Sequence, residues 1–194
     1  MKREKKGNIC VFCASSAHID KSYVDAAHEL GRLLAEGGWR CVNGGGASGL
    51  MGAVNDGVLD AGGEVTGVIP KFMMDNGWEH DRIEDFIITA DMHQRKLTMS
   101  EISDAIIALP GGVGTLEELL EALTWRQLEI VEATPIIILN TNGYYDLLLQ
   151  LLDHAIQEGF MKPSHNRLWR VVSTPREAVA MLDDIHPVTF ESKN

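Results

Sequence analysis

The chain alternates short, almost wholly apolar runs with longer stretches in which apolar residues recur every three or four positions. Seven runs of the first kind are rich in β-branched residues: NICVFC (8–13), WRCVN (39–43), EVTGVIP (64–70), DFIITA (85–90), AIIALP (105–110), PIIILN (135–140) and WRVVS (169–173). These read as strands, and the helical pattern between them predicts helices over 21–37, 49–61, 91–103, 115–130, 143–159 and 175–184. Strands apolar on both faces and separated by helices belong to a parallel sheet covered on both sides. The expectation is therefore an α/β fold, a Rossmann-like doubly wound parallel sheet of about seven strands with helices on both faces. No internal repeat, low-complexity segment or linker divides the chain, so 1–194 is read as one domain, with 1–7 and 187–194 loosely ordered. One connection is irregular, PKFMMDNGWEHDRIED at 70–85, and it reads either as a loop over a site or as a surface excursion.

In an open parallel sheet, ligands bind beyond the carboxyl ends of the strands. The unusual residues of the chain fall there: ASSAH (14–18), GGGASGLMG (44–52), ADMHQRK (90–96) and PGGVGT (110–115). Each opens a helix, which brings up to four helix N-termini to one crevice. Gly111, Gly112 and Gly114 remove Cβ where backbone must take φ > 0 or let something approach closely. Thr115 is placed as an N-cap, with Leu116, Glu117 and Glu118 as the first turn. Exposed N–H groups at a positive dipole end suit a phosphate. Thr115 and Glu118 also have the spacing of a capping box, which needs no ligand at all.

Other readings of these loops stay open at this level. Gly44, Gly46 and Gly49 match G-x-G-x-x-G, and Glu64 lies about where a ribose-binding acid would, so an NAD(P) oxidoreductase is a competitor. The fingerprint belongs after the first strand, however, and here it follows the second. A P-loop is excluded because Leu50 follows Gly49 where lysine should stand. Arg95 and Lys96 sit in the first turns of a helix, where cations oppose the dipole. Lys96 reads equally as part of a solvated face; Arg95 reads as functional because its helix and that of Glu118 follow strands that neighbour one another in chain order. His93 is read as an ordinary polar histidine.

Composition narrows the class. A charge of −11 argues against nucleic acid or an anionic membrane as partner, and means that an anion site must be built locally. The apolar run after MKREKKGN is too short for a signal-peptide core, and no run approaches the roughly 20 residues of a membrane span, so a cytoplasmic protein is expected. Cys10, Cys13 and Cys41 are odd in number; Cys10 and Cys13 point to opposite faces of a strand, and buried reduced thiols are expected, with no disulfide and no metal.

The succession ICVFCASS, GGGASGLMGAV, GVIPKFM, DMHQRK and LPGGVGTLEELLEALTW resembles the Lonely Guy family of cytokinin-activating phosphoribohydrolases, over roughly residues 9–160. The family's P-G-G-x-G-T-x-x-E falls on Pro110–Glu118 and its Arg-Lys pair on Arg95 and Lys96. The resemblance implies a Rossmann-fold homodimer that hydrolyses the N-glycosidic bond of adenosine-type 5′-monophosphates without cofactor or metal. It implies Arg95 and Glu118 as catalytic, with Ser15, Gly45, Gly46, Lys96, Gly111, Gly112, Val113, Gly114, Thr115 and Thr124 binding substrate. Glu118, kept ionised by the helix N-terminus, would face the oxocarbenium-like ribose. The sequence departs from the family's pattern at Ala14, where many members have Gly, and at Gly77, near a ligand-contacting Glu of plant members; both bear on which N6-substituent is preferred. A nucleotide-type cofactor carrier would keep the glycine loops without needing the Arg95 and Glu118 pair. The helix at 115–130, with Leu116, Leu119, Leu120, Leu123, Trp125, Leu128 and Ile130, is wider in its apolar surface than one core face requires, which supports the dimer.

Overall fold

A computed structural model describes residues 6–130 and 134–183. Seven strands form one sheet: β1 (Gly7–Phe12), β2 (Trp39–Asn43), β3 (Val65–Pro70), β4 (Asp85–Thr89), β5 (Ala105–Ala108), β6 (Ile136–Leu139) and β7 (Trp169–Val172). The helices are α1 (Lys21–Gly37), α2 (Gly49–Asp60), α3 (Lys71–Asp75), α4 (Met92–Glu101), α5 (Val113–Gln127), α6 (Asp146–Gln157) and α7 (Pro175–Asp183). Every run read as a strand is one. The unexpected element is α3, whose five residues are too few to show a helical period. Residues 1–5 and 184–194, which include most of the ends read as loosely ordered, lie outside the described residues. Lys6 and Gly7 are anchored instead: the Lys6 N–H donates to Gly38 O at 3.1 Å, its Nζ lies 2.7 Å from Asp183, and Gly7 opens β1.

All strand pairs are parallel, in the order β4-β3-β2-β1-β5-β6-β7. The chain builds outward from β1 to one edge, then returns to the other side of β1 and builds outward again. That reversal opens a crevice beyond the carboxyl ends of β1 and β5. Each face of the sheet has its own core. Leu30 and Leu34 of α1, Val54 and Val58 of α2 and Leu182 of α7 pack with Ile9, Val11 and Cys13 on one side. Met99 of α4, Leu119 and Leu123 of α5 and Leu152 of α6 pack with Cys10 and Phe12 on the other. Cys10 and Cys13 thus do lie on opposite faces; both are free, and burial pushes their thiols well up and that of Cys41 to about 12. Among the described residues no helix is long and apolar enough to cross a membrane.

Candidate active site

The site is set by the loops that leave β1, β2 and β5 and by α4. After β2, two buried asparagines organise the glycine run. Asn43 accepts from the Gly45 N–H at 2.8 Å and donates to Asn55 Oδ1 at 2.7 Å, and Asn55 in turn donates to Gly46 O at 3.1 Å. Both are wholly buried, and sequence reasoning passed over them. An Asn closing an apolar strand, matched by one on the apolar face of the next helix, was the signal available. The 70–85 connection leans on the same loop: His80 N–H donates to Gly45 O at 2.7 Å and Ala47 N–H to Trp78 O at 3.3 Å. Of its two readings, the loop over the site is therefore the one the contacts favour. Gly77 takes φ +69 just after α3 and its N–H returns to Met74 O, so this departure from the family's pattern serves to end a helix.

Arg95 extends from α4 into this frame and is buried. Asp91 caps α4 by accepting from the Gln94 N–H at 2.8 Å, which fixes where the helix begins and where Arg95 points. The Arg95 Nε donates to Val68 O at 3.1 Å, and Nη2 lies 3.8 Å from Glu118 Oε1. A Cβ on Gly44 would overlap Nη2, so the first glycine of the G-x-G-x-x-G match makes room for this guanidinium. Glu64, the acid of the dinucleotide reading, precedes β3 and pairs with Arg40. It stands at the opposite end of the strand from the crevice, and the dinucleotide reading fails on that placement.

Helix α5 begins earlier than expected. Its N-cap is Gly112, with φ −81 and ψ −159, so Thr115 is the third helical residue, buried, and no Thr115–Glu118 capping box forms. Of the three glycines, none has positive φ. Gly111 is needed for packing, because a Cβ there would overlap the Thr115 side chain, whereas a Cβ on Gly112 or Gly114 would meet nothing within 4 Å. Four successive carbonyls, 109–112, accept from Tyr145 Oη, the Ala14 N–H, Tyr144 Oη and the Leu116 N–H. The N–H groups of 111–115 donate to no acceptor among the described residues. Val113 is 83% exposed beside them.

Glu118 lies in the second turn of α5, beyond the reach of the dipole, which falls off within the first. The expectation that the helix terminus holds it ionised is corrected accordingly. Burial pushes its carboxyl up to about 6 against the pull of Arg95. It accepts no hydrogen bond from the described residues, although its side chain is only 11% exposed. Lys96, on the next position of α4, joins Glu117 and Glu121 of α5, at 3.0 Å to the latter. Desolvation works against its ammonium, but the two carboxylates outweigh it and raise the pKa. The remaining candidates are more scattered. Ser15 is exposed on the loop after β1, next to Ala14, which bonds Pro110. Thr124 is exposed, bonded to its own helix at Leu120 O (2.8 Å), about 13 Å of helix axis from Thr115 at ~1.5 Å per residue. His93 is exposed.

The chain compares closely with known proteins. The cytokinin riboside 5′-monophosphate phosphoribohydrolase LOG1 of Arabidopsis thaliana is 48% identical over 181 residues, 92% of this chain and 84% of that one. LOG of Oryza sativa subsp. japonica is 44% identical over 186 residues, covering 96% and 76%. The chain belongs to the Lonely Guy family. A family described as "possible lysine decarboxylase" also matches residues 51–182. Among solved structures, the molybdenum cofactor binding protein of Rippkaea orientalis superposes with a TM-score of 0.71 at 24% identity, over 94% of this chain and 98% of that one. The molybdenum cofactor carrier protein of Chlamydomonas reinhardtii gives 0.68 at 24%, over 93% and 98%. At that identity the likeness of this chain to the carriers is one of fold alone.

Proposed function

We propose that this protein hydrolyses the N-glycosidic bond of adenosine-type 5′-monophosphates, releasing the free base and ribose 5-phosphate, as the names of its relatives describe for cytokinin riboside monophosphates. The observation that carries the reading is that one helix supplies both halves of the chemistry. Unpartnered N–H groups at 111–115 open α5, and an under-satisfied carboxylate, Glu118, follows Thr115 by three residues, ~4.5 Å of helix axis. The amides suit the 5′-phosphate and leave the ribose opposite the carboxylate.

Cleavage develops positive charge at C1′ while the C1′–N9 bond breaks and the purine takes its electron pair. Glu118 stabilises that cation and accepts a proton from the water whose oxygen bonds C1′. A pKa of about 6 leaves the carboxyl mostly ionised at pH 7 and able to accept that proton. Arg95 serves to hold Glu118 and offset developing charge. Lys96 is a paired ammonium, the reverse of the neutral amine that lysine-based Schiff-base chemistry requires, so the decarboxylase description finds no support at this site.

A homodimer is part of the reading. Leu119 and Leu123 are spent in the chain's own core, but Leu120, Leu128 and Ile130 are exposed and fit burial on a second copy. A cytoplasmic setting agrees with the three free thiols. The test is adenine release from AMP and adenosine at equal concentration without added metal. AMP is expected to exceed adenosine in kcat/KM by ~10² or more, about 2.7 kcal/mol. Equal rates would remove the phosphate from the loop, and NAD(P) binding with no base release would sink the hydrolase.

A further inference from the structure

The segment after β6 touches the glycine loop from the side opposite its free amides. It runs from Asn140 through a 3₁₀ turn at Thr141–Gly143 to Tyr144 and Tyr145, where α6 begins. Tyr145 Oη donates to Leu109 O and Tyr144 Oη to Gly111 O, each at 2.6 Å. In a trans peptide the C=O and the following N–H point in opposite directions. Holding Gly111 O therefore aims the Gly112 N–H, just as Ala14 holding Pro110 O at 3.3 Å aims that of Gly111.

The Gly111–Gly112 peptide has most need of such a hold. With no Cβ on either side, it is the peptide of the loop freest to rotate. If it turned over, it would present a carbonyl oxygen to the anion instead of an N–H. We propose that Tyr144 is a positioning residue for the substrate's 5′-phosphate, its hydroxyl fixing the Gly111–Gly112 peptide with the N–H toward that anion. Tyr145 secures the root of the loop, where Pro110 has no N–H to aim. The proposal rests on the phosphate reading of residues 111–115.

Tyr144 is suited to a test because the segment does not depend on its hydroxyl for shape. Tyr144 is 43% exposed, and its ring lies edge-on against Tyr23 and Tyr145, at centroid distances of 6.1 and 5.1 Å. The segment is tied independently by Asn142 Nδ2 to Ser22 Oγ at 2.9 Å and by the Tyr145 N–H to Asn140 Oδ1 at 2.7 Å. Tyr145, by contrast, is buried.

The experiment measures kcat/KM for AMP and adenosine, inhibition by ribose 5-phosphate, and Tm, in the wild type, Tyr144→Phe and Tyr145→Phe. Tyr144→Phe is expected to lower kcat/KM for AMP about tenfold, the scale of one lost hydrogen bond, and to weaken ribose 5-phosphate inhibition similarly. Adenosine turnover and Tm should hardly move. Tyr145→Phe should lower Tm, since it strands a buried carbonyl, and serves as the measure of a purely structural loss. An unchanged AMP-to-adenosine ratio in Tyr144→Phe, or a parallel fall on both substrates, overturns the proposal while leaving the phosphate reading intact. A wild type without preference for AMP overturns the phosphate reading first, and the proposal with it.

Discussion

Two glycine-rich loops enter the same crevice, and their glycines are there for different reasons. In the loop after β2, Gly44, Gly45 and Gly49 are demanded by the protein itself. Gly44 yields space to Arg95, Gly45 takes φ +68 against the Phe86 ring, and Gly49 takes φ +64 against the carbonyls of Ala14 and Ser16. In the loop after β5, only Gly111 is so constrained; Gly112 and Gly114 have ordinary φ and empty space before them. The first loop is packing for a buried cation, and the second leaves backbone bare toward solvent. A glycine motif alone does not distinguish the two, because what decides is the atom that a Cβ would have met.

The comparison breaks most sharply through the groups that the loops serve. Glu118→Gln is expected to fold and to lose at least ~10² in kcat, the scale of a lost acid–base group. Arg95→Ala should lose a similar factor. Near-native turnover in either variant, measured with AMP at saturation, would take that residue out of the chemistry and leave it structural.

Substitutions in the loops themselves sharpen it. At Gly44 an added methyl meets the far end of a long side chain, so Gly44→Ala should fold with Arg95 displaced and lose ~10- to 100-fold in kcat, on AMP and adenosine alike. At Gly112 the methyl meets nothing and φ is permissive, so stability should hold or rise by ~0.4–1 kcal/mol. The same methyl would stand where the anion approaches, and kcat/KM should fall about tenfold for AMP only. Identical substrate profiles for the two variants would erase the distinction between the loops.

The fold was legible because seven apolar runs and the helices between them repeat one message, and both periods agree with a covered parallel sheet. Arg95 and Glu118 were legible as a pair, although not their 3.8 Å separation, since the place of the guanidinium depends on the room that Gly44 leaves. The start of α5 was misplaced because threonine carries a side-chain oxygen that can accept from a first-turn N–H, while Gly112, extended and with no side chain, stands at the cap. Tyr144 and Tyr145 were missed for a different reason. They follow the sixth strand, and nothing local in GYYDLL reveals that two hydroxyls reach carbonyls more than thirty residues back.

A further effect concerns stability, and it tests whether burial or the helix terminus governs Glu118. Burial raises its folded pKa to about 6 from an ordinary value of 4.5. Between those two pH values the folded state binds more protons than the unfolded state, so this group's contribution falls as pH rises. Below about pH 4.5 the carboxyl is neutral in both states and costs nothing. Above about pH 6 it is ionised in both, and the folded chain carries a buried charge that Arg95 only partly offsets, at a cost of about 2 kcal/mol. Glu118→Gln removes that titration. The variant should therefore gain about 2 kcal/mol relative to wild type between pH 4.5 and pH 7, seen as a growing gap in denaturant midpoints at constant m-value. A dipole-held, stabilised carboxylate predicts a gap of the opposite sign, and a flat difference across that range would mean that water reaches the carboxyl in the folded protein. The wild-type kcat/KM profile should show an acid limb near pH 6 that Glu118→Gln lacks, since the same ionisation that weakens the fold arms the site.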